Sequence, residues 1–389
     1  MRNGAIIGWH HLPFVKEDAR ELEEMIVAAG AGALTHAGIA PEDVDAIYLG
    51  HFNAGFSPQD FPASLALGID PALRFKPATR IENACATGSA AVHQGLQAIA
   101  AGAARHVLVI GAEQMSRVPP KEVGANLLKA SYVAEEGGIP GGFAGVFGRI
   151  ADLYYQRHGD QNEALAAIAA KNHKNGVGNR LAQMRKDLGR DFCRMVSEKN
   201  PLVAGPLKRT DCSPVSDGAA ALVLAADDAA KSAPRAIGFR SAIQVSDFLP
   251  MSKRDIIAFE GCRLAWAKAL VEAGMAVTDL SLVETHDCFT IAELIEYEAM
   301  GLTKPGQGAR AILEGWTEMG GRLPVNPSGG LKAKGHPIGA TGVSMHVLAA
   351  MQLDGSAGDF QVRDAALAGL FNMGGTAVAN YVSILERVR

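Results

Sequence analysis

Cys85 lies at a position in the sequence that suits a catalytic nucleophile. It lies in the segment ENACATG (82–88), between an extended approach and an Ala-rich helix predicted over about 86–101. Unpaired N–H groups and the positive end of the helix dipole meet at such a helix start, so we expect a lowered thiol pKa and a reactive thiolate. The alternative is a small buried cysteine that only packs there. This segment alone does not decide between the two.

A histidine that could act as the base lies far along the chain, in the glycine-rich segment NPSGGLKAKGHPIGATG (326–342). His336 follows Gly335 and precedes Pro337, on a turn before a second predicted helix, and the glycines let the backbone approach a ligand closely. Its imidazole could take the proton of Cys85. A hydrogen-bonded loop histidine is the alternative. The segment is not a Walker A loop, and GxGxxG is absent as well.

The third candidate segment is ETHDCF (284–289), at the end of a strand predicted over 280–283. His286 and Cys288 are two residues apart on a strand end, so their side chains face the same side. Cys288 could shuttle protons as a second thiol, or it could pack in the core. Zinc held by His286, Cys288 and His336 is conceivable, but no ligand spacing supports it, so we expect no metal.

Short buried strands alternate with helices along most of the chain, which is typical of an α/β layered fold. Two examples of such strands are HVLVIG (106–111) and GAAALVL (218–224). Residues 119–212 differ, because they begin at a Pro-Pro break, contain a Gly-rich loop at 137–142 and are then mostly helical and polar. We predict that they form an insertion that covers another part of the molecule.

Two pairs of segments repeat along the chain. AGIAPEDV (37–44) is echoed by AGMAVTDL (273–280), and ATG (86–88) is echoed by ATG (340–342). The first pair is 236 residues apart and the second pair is 254 residues apart, a difference that an insertion or deletion explains. The repetition predicts a duplicated α/β unit, with chance similarity of Ala/Gly-rich segments as the alternative. Duplication would bring two helix N-termini to one internal interface, where ligands commonly bind.

Composition excludes several functional classes. The 389 residues are 48% hydrophobic, and 37 basic against 41 acidic residues give a net charge of -4, which offers no broad basic field for nucleic acid. Five cysteines, none spaced as CxxC, argue against a disulfide framework and a structural zinc site. No run of 18 apolar residues could cross a membrane, and we find neither a signal peptide nor a sorting tripeptide. We therefore expect a cytoplasmic enzyme.

Taken in order, the chemistry-bearing segments resemble the thiolase family over nearly the whole chain. They are NACATGS (83–89), GAEQMS (111–116), AAKNHKNG (169–176), SDGAA (216–220), HDCF (286–289) and GHPIGATG (335–342). The HDCF form is similar to the sterol carrier protein branch. Better-known biosynthetic thiolases have Asn-Glu-Ala-Phe in that place and a second cysteine near the C-terminus. Here the C-terminal segment is NMGG (372–375), so the family's acid/base thiol maps to Cys288.

The resemblance implies a duplicated αβαβα layered fold with an inserted, mainly helical loop domain. The expected division is an N-terminal half of residues 1–118 and 213–235, a loop domain of 119–212 and a C-terminal half of 236–389. The family resemblance also implies ping-pong acyl transfer between CoA thioesters. Cys85 would carry the acyl group, and Cys288 would protonate or form the enolate of acetyl-CoA.

The resemblance further implies which groups stabilise the charged intermediates. His336, with a water held by His286, would stabilise the enolate oxygen, and the N–H groups of Cys85 and Gly374 would stabilise the tetrahedral intermediate. The candidates for substrate binding are Lys208, Arg209, Ser246 and Asn326. CoA is then a substrate and no cofactor is tightly bound. The family suggests a homodimer or tetramer, and a small zinc-containing OB-fold protein is a further expected partner.

Three other functions compete with this interpretation. A 3-ketoacyl synthase-like condensing enzyme shares the fold but lacks the second thiol, and sterol side-chain aldolases of this branch lack the nucleophilic cysteine. From a different class, the chain could be a non-catalytic acyl-CoA-binding subunit of a larger assembly, although such a subunit would not need every catalytic position filled. Alkylation separates the last case, because an enzyme's Cys85 should react fast with iodoacetamide and acyl-CoA should protect it.

Overall fold

The computed structural model describes residues 4–389 and contains, within them, eleven strands and thirteen α-helices. The strands are β1 (Ala5–His11), β2 (Ala46–Gly50), β3 (Ala78–Ile81), β4 (His106–Gln114), β5 (Leu202–Ala204), β6 (Leu207–Lys208), β7 (Asp217–Ala225), β8 (Ile237–Ser246), β9 (Leu282–Glu284), β10 (Leu367–Gly374) and β11 (Ala379–Arg387). The helices are α1 (Leu22–Ala37), α2 (Thr87–Ala100), α3 (Pro120–Leu128), α4 (Val133–Glu136), α5 (Gly142–His158), α6 (Asn162–Gly178), α7 (Arg190–Arg194), α8 (Asp227–Ala230), α9 (Glu260–Ala273), α10 (Thr290–Ala299), α11 (Gly308–Leu313), α12 (Gly330–Lys334) and α13 (Ile338–Asp354).

Nine of the strands form one sheet in the order β3-β2-β4-β7-β1-β8-β11-β10-β9. Strands β1 and β8 meet through only two residue pairs, Ala5–Gly238 and Ile6–Ile237, so the sheet consists of two halves joined at a narrow seam. In each half a parallel pair, β2–β4 or β9–β10, continues into an antiparallel series, β4–β7–β1 or β10–β11–β8. The same strand pattern in both halves confirms the predicted duplication.

Strand β4 shows why its sequence is a continuous apolar run. Val107 and Val109 belong to the large core cluster that includes residues of α2, whereas Leu108 and Ile110 belong to a second cluster built on α1. Side chains alternate between the two faces of a strand, so a strand covered on both faces is apolar at every position. The half-sheet therefore lies between two helical layers.

Helices α2 and α13 pack against each other where their sequences repeat the ATG motif. A Cβ atom at Gly88 would lie 2.6 Å from the Val343 nitrogen, and one at Gly342 would lie 2.1 Å from the Ser89 nitrogen. Only glycine permits this approach of two helix backbones. The contact brings together the starts of the two helices, which follow Cys85 and His336 along the chain.

Residues 119–212 contain helices α3 to α7 and the short antiparallel pair β5–β6, as expected for a mainly helical insertion. Although α6 is polar, its residues Lys171, Asn172 and His173 are buried against α10 and α12. The predicted domain boundaries fall between β4 and α3, between β6 and β7, and between α8 and β8. Within residues 4–389, no helix combines the length and apolar character needed to cross a bilayer.

Candidate active site

Cys85 lies just before α2, on a tight turn in which Ala84 takes a left-handed conformation with φ of 49°. The thiol is buried, with the residue only 3% exposed, and the N–H of Gly375 donates to its sulfur. Burial raises the pKa of the Cys85 thiol to about 12, and the Gly375 N–H offsets this only in part. The expectation of a lowered pKa is therefore wrong for the free protein, because loss of solvation outweighs the helix start.

His336 is arranged as a neutral base. The Thr341 hydroxyl donates to the Pro337 carbonyl at 3.0 Å, so at 2.7 Å it accepts a hydrogen bond from Nδ1–H of His336. The proton on Nδ1 leaves a lone pair on Nε2. Burial, followed by the nearby Lys334 ammonium, lowers the imidazole pKa to about 3, so the ring is uncharged at neutral pH.

His286 has the opposite tautomer. The side-chain amide of Asn372 donates to Nδ1 of His286 at 2.8 Å and also to the Cys85 carbonyl at 3.1 Å. The hydrogen of the neutral ring is then on Nε2, which is buried and has no hydrogen-bond partner among the described residues. Burial holds the pKa of His286 well below its usual value. The two imidazoles thus present one lone pair and one N–H donor.

The three groups converge. The Cys85 sulfur and one ring nitrogen each of His286 and His336 lie within 4.8 Å of one another, and the two rings are nearly perpendicular, with centroids 5.0 Å apart. Cys288 is buried beside them, and burial, followed by the neighbouring Cys85 thiol, raises its pKa well above the usual value. Two imidazoles and a thiolate could ligate a metal, but the same convergence suits thiol chemistry, and a metal-free site stays a prediction.

A cavity of about 540 Å³ opens beside this cluster, between the insertion and the body of the molecule. Its walls are largely apolar, and the exposed cations Lys16, Lys199 and Arg209 also line it. Ser213 in the cavity wall donates its N–H to the Cys288 carbonyl at 2.9 Å. The cavity therefore borders the loop that carries Cys288.

Comparisons with known proteins agree with this geometry. The model of the thiolase N-terminal domain matches residues 5–188, and the model described as thiolase C-terminal domain-like matches residues 244–387. The chain belongs to the thiolase family. The acetyl-CoA acetyltransferase of Methanothermobacter thermautotrophicus is 35% identical over 394 residues, covering 100% of both chains. Sterol carrier protein 2 of Homo sapiens is 31% identical over 395 residues, covering 96% of this chain and 70% of that protein.

Solved structures show the same fold for this thiolase. The structure titled "Ltp2-ChsH2(DUF35) aldolase" has a TM-score of 0.83 at 22% identity, and human mitochondrial 3-ketoacyl-CoA thiolase in complex with CoA has a TM-score of 0.75 at 18% identity. Each comparison covers 100% of this chain and 98% of the other. The predicted family and fold class are thereby confirmed.

The sequence did not identify the buried carboxylate of this thiolase that joins the loop of Cys288 to the segment of His336. Asp287 accepts hydrogen bonds from the N–H groups of Leu331 at 2.6 Å and Lys332 at 3.2 Å, and from the Asn172 amide at 2.7 Å. Burial raises its pKa, so the charged form is costly and must be held by these donors. The loop of Cys288 is thus tied to the start of α12, only a few residues before His336.

A second buried carboxylate, Glu113, fixes the start of α13. It accepts from the N–H groups of Phe52 at 2.9 Å, Asn53 at 3.1 Å and Gly339 at 3.0 Å. The motif GAEQMS contains Glu113, so the family pattern marks this anchor, although the sequence alone does not give its partners. Each hydrogen bond to an ionised group of this kind is about twice as strong as a neutral one.

Three of the four residues predicted to bind substrate do not line this cavity, and their part in binding stays a prediction. The Lys208 ammonium is buried and pairs with Asp211 at 3.1 Å, and Asn326 uses its side chain to bind the Thr285 N–H at 2.8 Å and Glu293 at 2.9 Å. Ser246 lies at the exposed end of β8, outside the cavity. Arg209 alone lines the cavity.

The predicted oxyanion contact of the Gly374 N–H stays a prediction, and the structure shows what surrounds this glycine. Gly374 packs against the turn before Cys85, where an added Cβ would lie 2.4 Å from the Asn83 oxygen. The N–H group that donates to the Cys85 sulfur belongs to Gly375. Gly374 thus permits the close approach, and its neighbour supplies the donor.

Proposed function

We propose that this thiolase is an acetyl-CoA acyltransferase that cleaves 3-oxoacyl-CoA with free CoA or runs the reverse Claisen condensation. The convergence of the Cys85 sulfur with the rings of His336 and His286 carries this proposal, because the tautomers of the two rings supply one lone pair and one N–H. The acetyl-CoA acetyltransferases that are 35% identical over the full chain support the same activity. Short or medium acyl-CoA thioesters, as handled in fatty acid metabolism, are the proposed substrate class.

In the first half-reaction, His336 takes the proton of the Cys85 thiol on Nε2. The sulfur then attacks the ketone carbon of the 3-oxoacyl group, and the Gly375 N–H, next to the sulfur, helps to bind the charge that develops. Cleavage of the carbon–carbon bond leaves an acyl thioester on Cys85 and the enolate of acetyl-CoA. The proton has moved from Cys85 to His336, and the negative charge is on the enolate. The net charge of the buried site therefore does not change.

The enolate needs a donor for its oxygen and an acid for its carbon. The Nε2–H of His286 has no partner within residues 4–389 and can bind the enolate oxygen. Cys288, packed beside Cys85, can protonate the carbon. The thiol of free CoA then gives its proton to the Cys288 thiolate and attacks the acyl thioester, which releases the shortened acyl-CoA. The leaving Cys85 sulfur takes back the proton held on Nε2 of His336. All four groups are neutral at the start and at the end of the cycle.

The cavity beside Cys288 is the proposed CoA site. The exposed cations Lys16, Lys199 and Arg209 suit the phosphates, and the apolar walls suit the pantetheine arm, whose thiol end would reach the Cys288 loop past Ser213. No resident cofactor is required by this chemistry.

We further propose a cytoplasmic homodimer that pairs through β3. This strand ends the sheet and its residues are partly exposed, so its free edge can pair with a second copy. A small OB-fold partner is also proposed. The similar structure whose title names a DUF35 component supports a protein partner of this kind.

Thiolysis of acetoacetyl-CoA by free CoA tests the proposed activity, with the Cys85→Ser variant as the matched control. The native chain should produce acetyl-CoA, and the variant should lose this activity while keeping its unfolding midpoint. Retained turnover in Cys85→Ser would contradict the assignment of the nucleophile. Failure of the native chain to cleave acetoacetyl-CoA and longer 3-oxoacyl-CoAs would leave the non-catalytic binding subunit as the function.

A further inference from the structure

Two buried polar side chains in the wall of the CoA cavity have no partner. Lys332 is 2% exposed, and its ammonium forms no hydrogen bond or ion pair with the residues described, 4–389. His173 is fully buried, and neither of its ring nitrogens has a hydrogen-bond partner in the same part of the chain. Both residues line the cavity. Buried groups of this kind oppose folding unless something binds them, so a ligand is expected here.

The carboxylates near Lys332 are already engaged. Asp211 binds the Lys208 ammonium at 3.1 Å and the Thr290 hydroxyl at 2.8 Å. Asp287 directs its oxygens to backbone N–H groups, including that of Lys332 itself at 3.2 Å, and not to the Lys332 ammonium. Burial lowers the pKa of Lys332, and Cys212, which also lines the cavity, is the group that most offsets this shift. The ammonium therefore remains available to a molecule in the cavity.

We infer that Lys332 and His173 form a subsite that binds an amide group of the pantetheine arm of CoA, an inference that rests on the proposed function. The ammonium would donate to the amide carbonyl oxygen. The imidazole lone pair would accept the amide N–H. Together the two side chains match both halves of one amide group, which fixes the depth at which the thiol end of CoA stops.

The donor and acceptor balance favours an amide over a phosphate. Burial lowers the pKa of His173 to about 3, so its neutral ring offers one N–H and one lone pair. The phosphate groups of CoA offer only acceptors and cannot use that lone pair. The pantetheine arm has two amide groups, so one amide N–H can bind the lone pair and the carbonyl oxygen of the other can accept the ring N–H. The exposed cations that line the cavity are better placed for phosphates, because a phosphate can bind them without having its charge buried. They are Lys16, Lys199 and Arg209.

The test varies the thiol that accepts the acyl group: CoA, pantetheine or ethanethiol. In Lys332→Met, kcat/KM for CoA and for pantetheine should fall by the same factor, about tenfold to a hundredfold, as expected for a lost hydrogen bond to a charged donor. Ethanethiol has no amide, so its kcat/KM should not change. Lys332→Gln keeps a donor and should recover part of the loss. Lys174→Met removes an exposed lysine next to His173 that does not line the cavity, and should behave as native.

Each outcome decides the inference. A loss confined to CoA would place the phosphates at Lys332 and overturn the amide assignment. An equal loss for all three thiols would mean a general defect, and no loss would mean that Lys332 binds nothing. Iodoacetamide labelling of Cys85 at the native rate checks that the variant site is intact, and His173→Leu provides a second variant with the same expected pattern. Native thiolysis of acetoacetyl-CoA tests the proposed function separately.

Discussion

Replacing His286 by leucine tests the donor assignment of this site directly. Asn372 donates to Nδ1 at 2.8 Å, which places the ring hydrogen on Nε2, an atom with no partner among the described residues. The ring lies beside that of His336, with centroids 5.0 Å apart. Leucine keeps an apolar side chain of moderate size in the same buried place and removes the N–H. The change therefore deletes one donor to the enolate oxygen and leaves the nucleophile and its base unchanged.

The expected loss in kcat is large while the expected change in stability is small. Loss of one oxyanion donor costs about 10²–10³ in rate, or about 2.7–4 kcal/mol of transition-state stabilisation. Removing a buried, unpartnered N–H relieves about 1–3 kcal/mol in the folded state, and this opposes the lost packing and the lost hydrogen bond from Asn372. Asn372 keeps its other acceptor, the Cys85 carbonyl at 3.1 Å. Activity and stability should therefore change independently.

Three measurements on His286→Leu separate a catalytic role from a packing role. Thiolysis kcat and exchange of the acetyl-CoA α-hydrogens with D₂O should both fall by about 10²–10³. Iodoacetamide labelling of Cys85 should stay near the native rate, since it needs the Cys85 thiolate and no donor to an enolate oxygen. The urea midpoint should stay within the native range. His286→Asn, which keeps an N–H donor, should recover part of the activity. A kcat within tenfold of native, or a parallel loss of labelling and stability, would refute the reasoning.

Three further predictions concern Cys288, Cys85 and the buried histidines. Cys288→Ala should still be acylated at Cys85 by acetyl-CoA, seen as a mass increase, but should not condense two acetyl groups; loss of acylation as well would remove Cys288 from the acid/base role. Because the Cys85 pKa is raised to about 12, iodoacetamide labelling of the free protein should rise about tenfold per pH unit between pH 7 and 10. A plateau below pH 8 would show that the thiolate is already formed. Stability to urea should fall as the pH drops below about 6.5. The buried neutral histidines have pKa values in the folded state that lie below the value of about 6.5 in the unfolded state. Each therefore lowers the free energy of unfolding by up to about 1.4 kcal/mol per pH unit as the pH falls. A constant stability from pH 7 to 4.5 would contradict this; the histidines are His11, His93, His173, His336 and His346.

The sequence predicts the framework of the site because the framework depends on local patterns. The repeated ATG motif places Gly88 and Gly342 in equivalent positions, and the contact between these glycines brings Cys85 and His336 together. The apolar run of β4 predicts a strand covered on both faces, and the two core clusters on either side of it confirm this. Cys288 was assigned from the family motif, and the fold places it beside Cys85.

The properties that the sequence does not predict are those set by burial and by distant partners. Lys208 and Arg209 are neighbours in sequence, yet the first is buried against Asp211 and the second lines the cavity. The predicted direction of the Cys85 pKa shift was wrong for the same reason. The loss of solvent around the thiol depends on all the groups that pack against it. Asn372, recognised only as the place where a cysteine is missing, turns out to orient His286. No local pattern contains this information.

The resting site avoids charge, and this explains why two histidines with opposite tautomers serve one cysteine. Thr341 on α13 and Asn372 on β10 fix the two tautomers independently, so the lone pair of His336 and the N–H of His286 do not compete for one proton. A standing thiolate would need a buried counter-charge, and the neighbouring imidazoles of His286 and His336 both have lowered pKa values. The nucleophile therefore forms as a thiolate–imidazolium pair during attack, when the carbonyl oxygen can take the negative charge. This uncharged resting state keeps Cys85 protonated until an acyl-CoA fills the cavity.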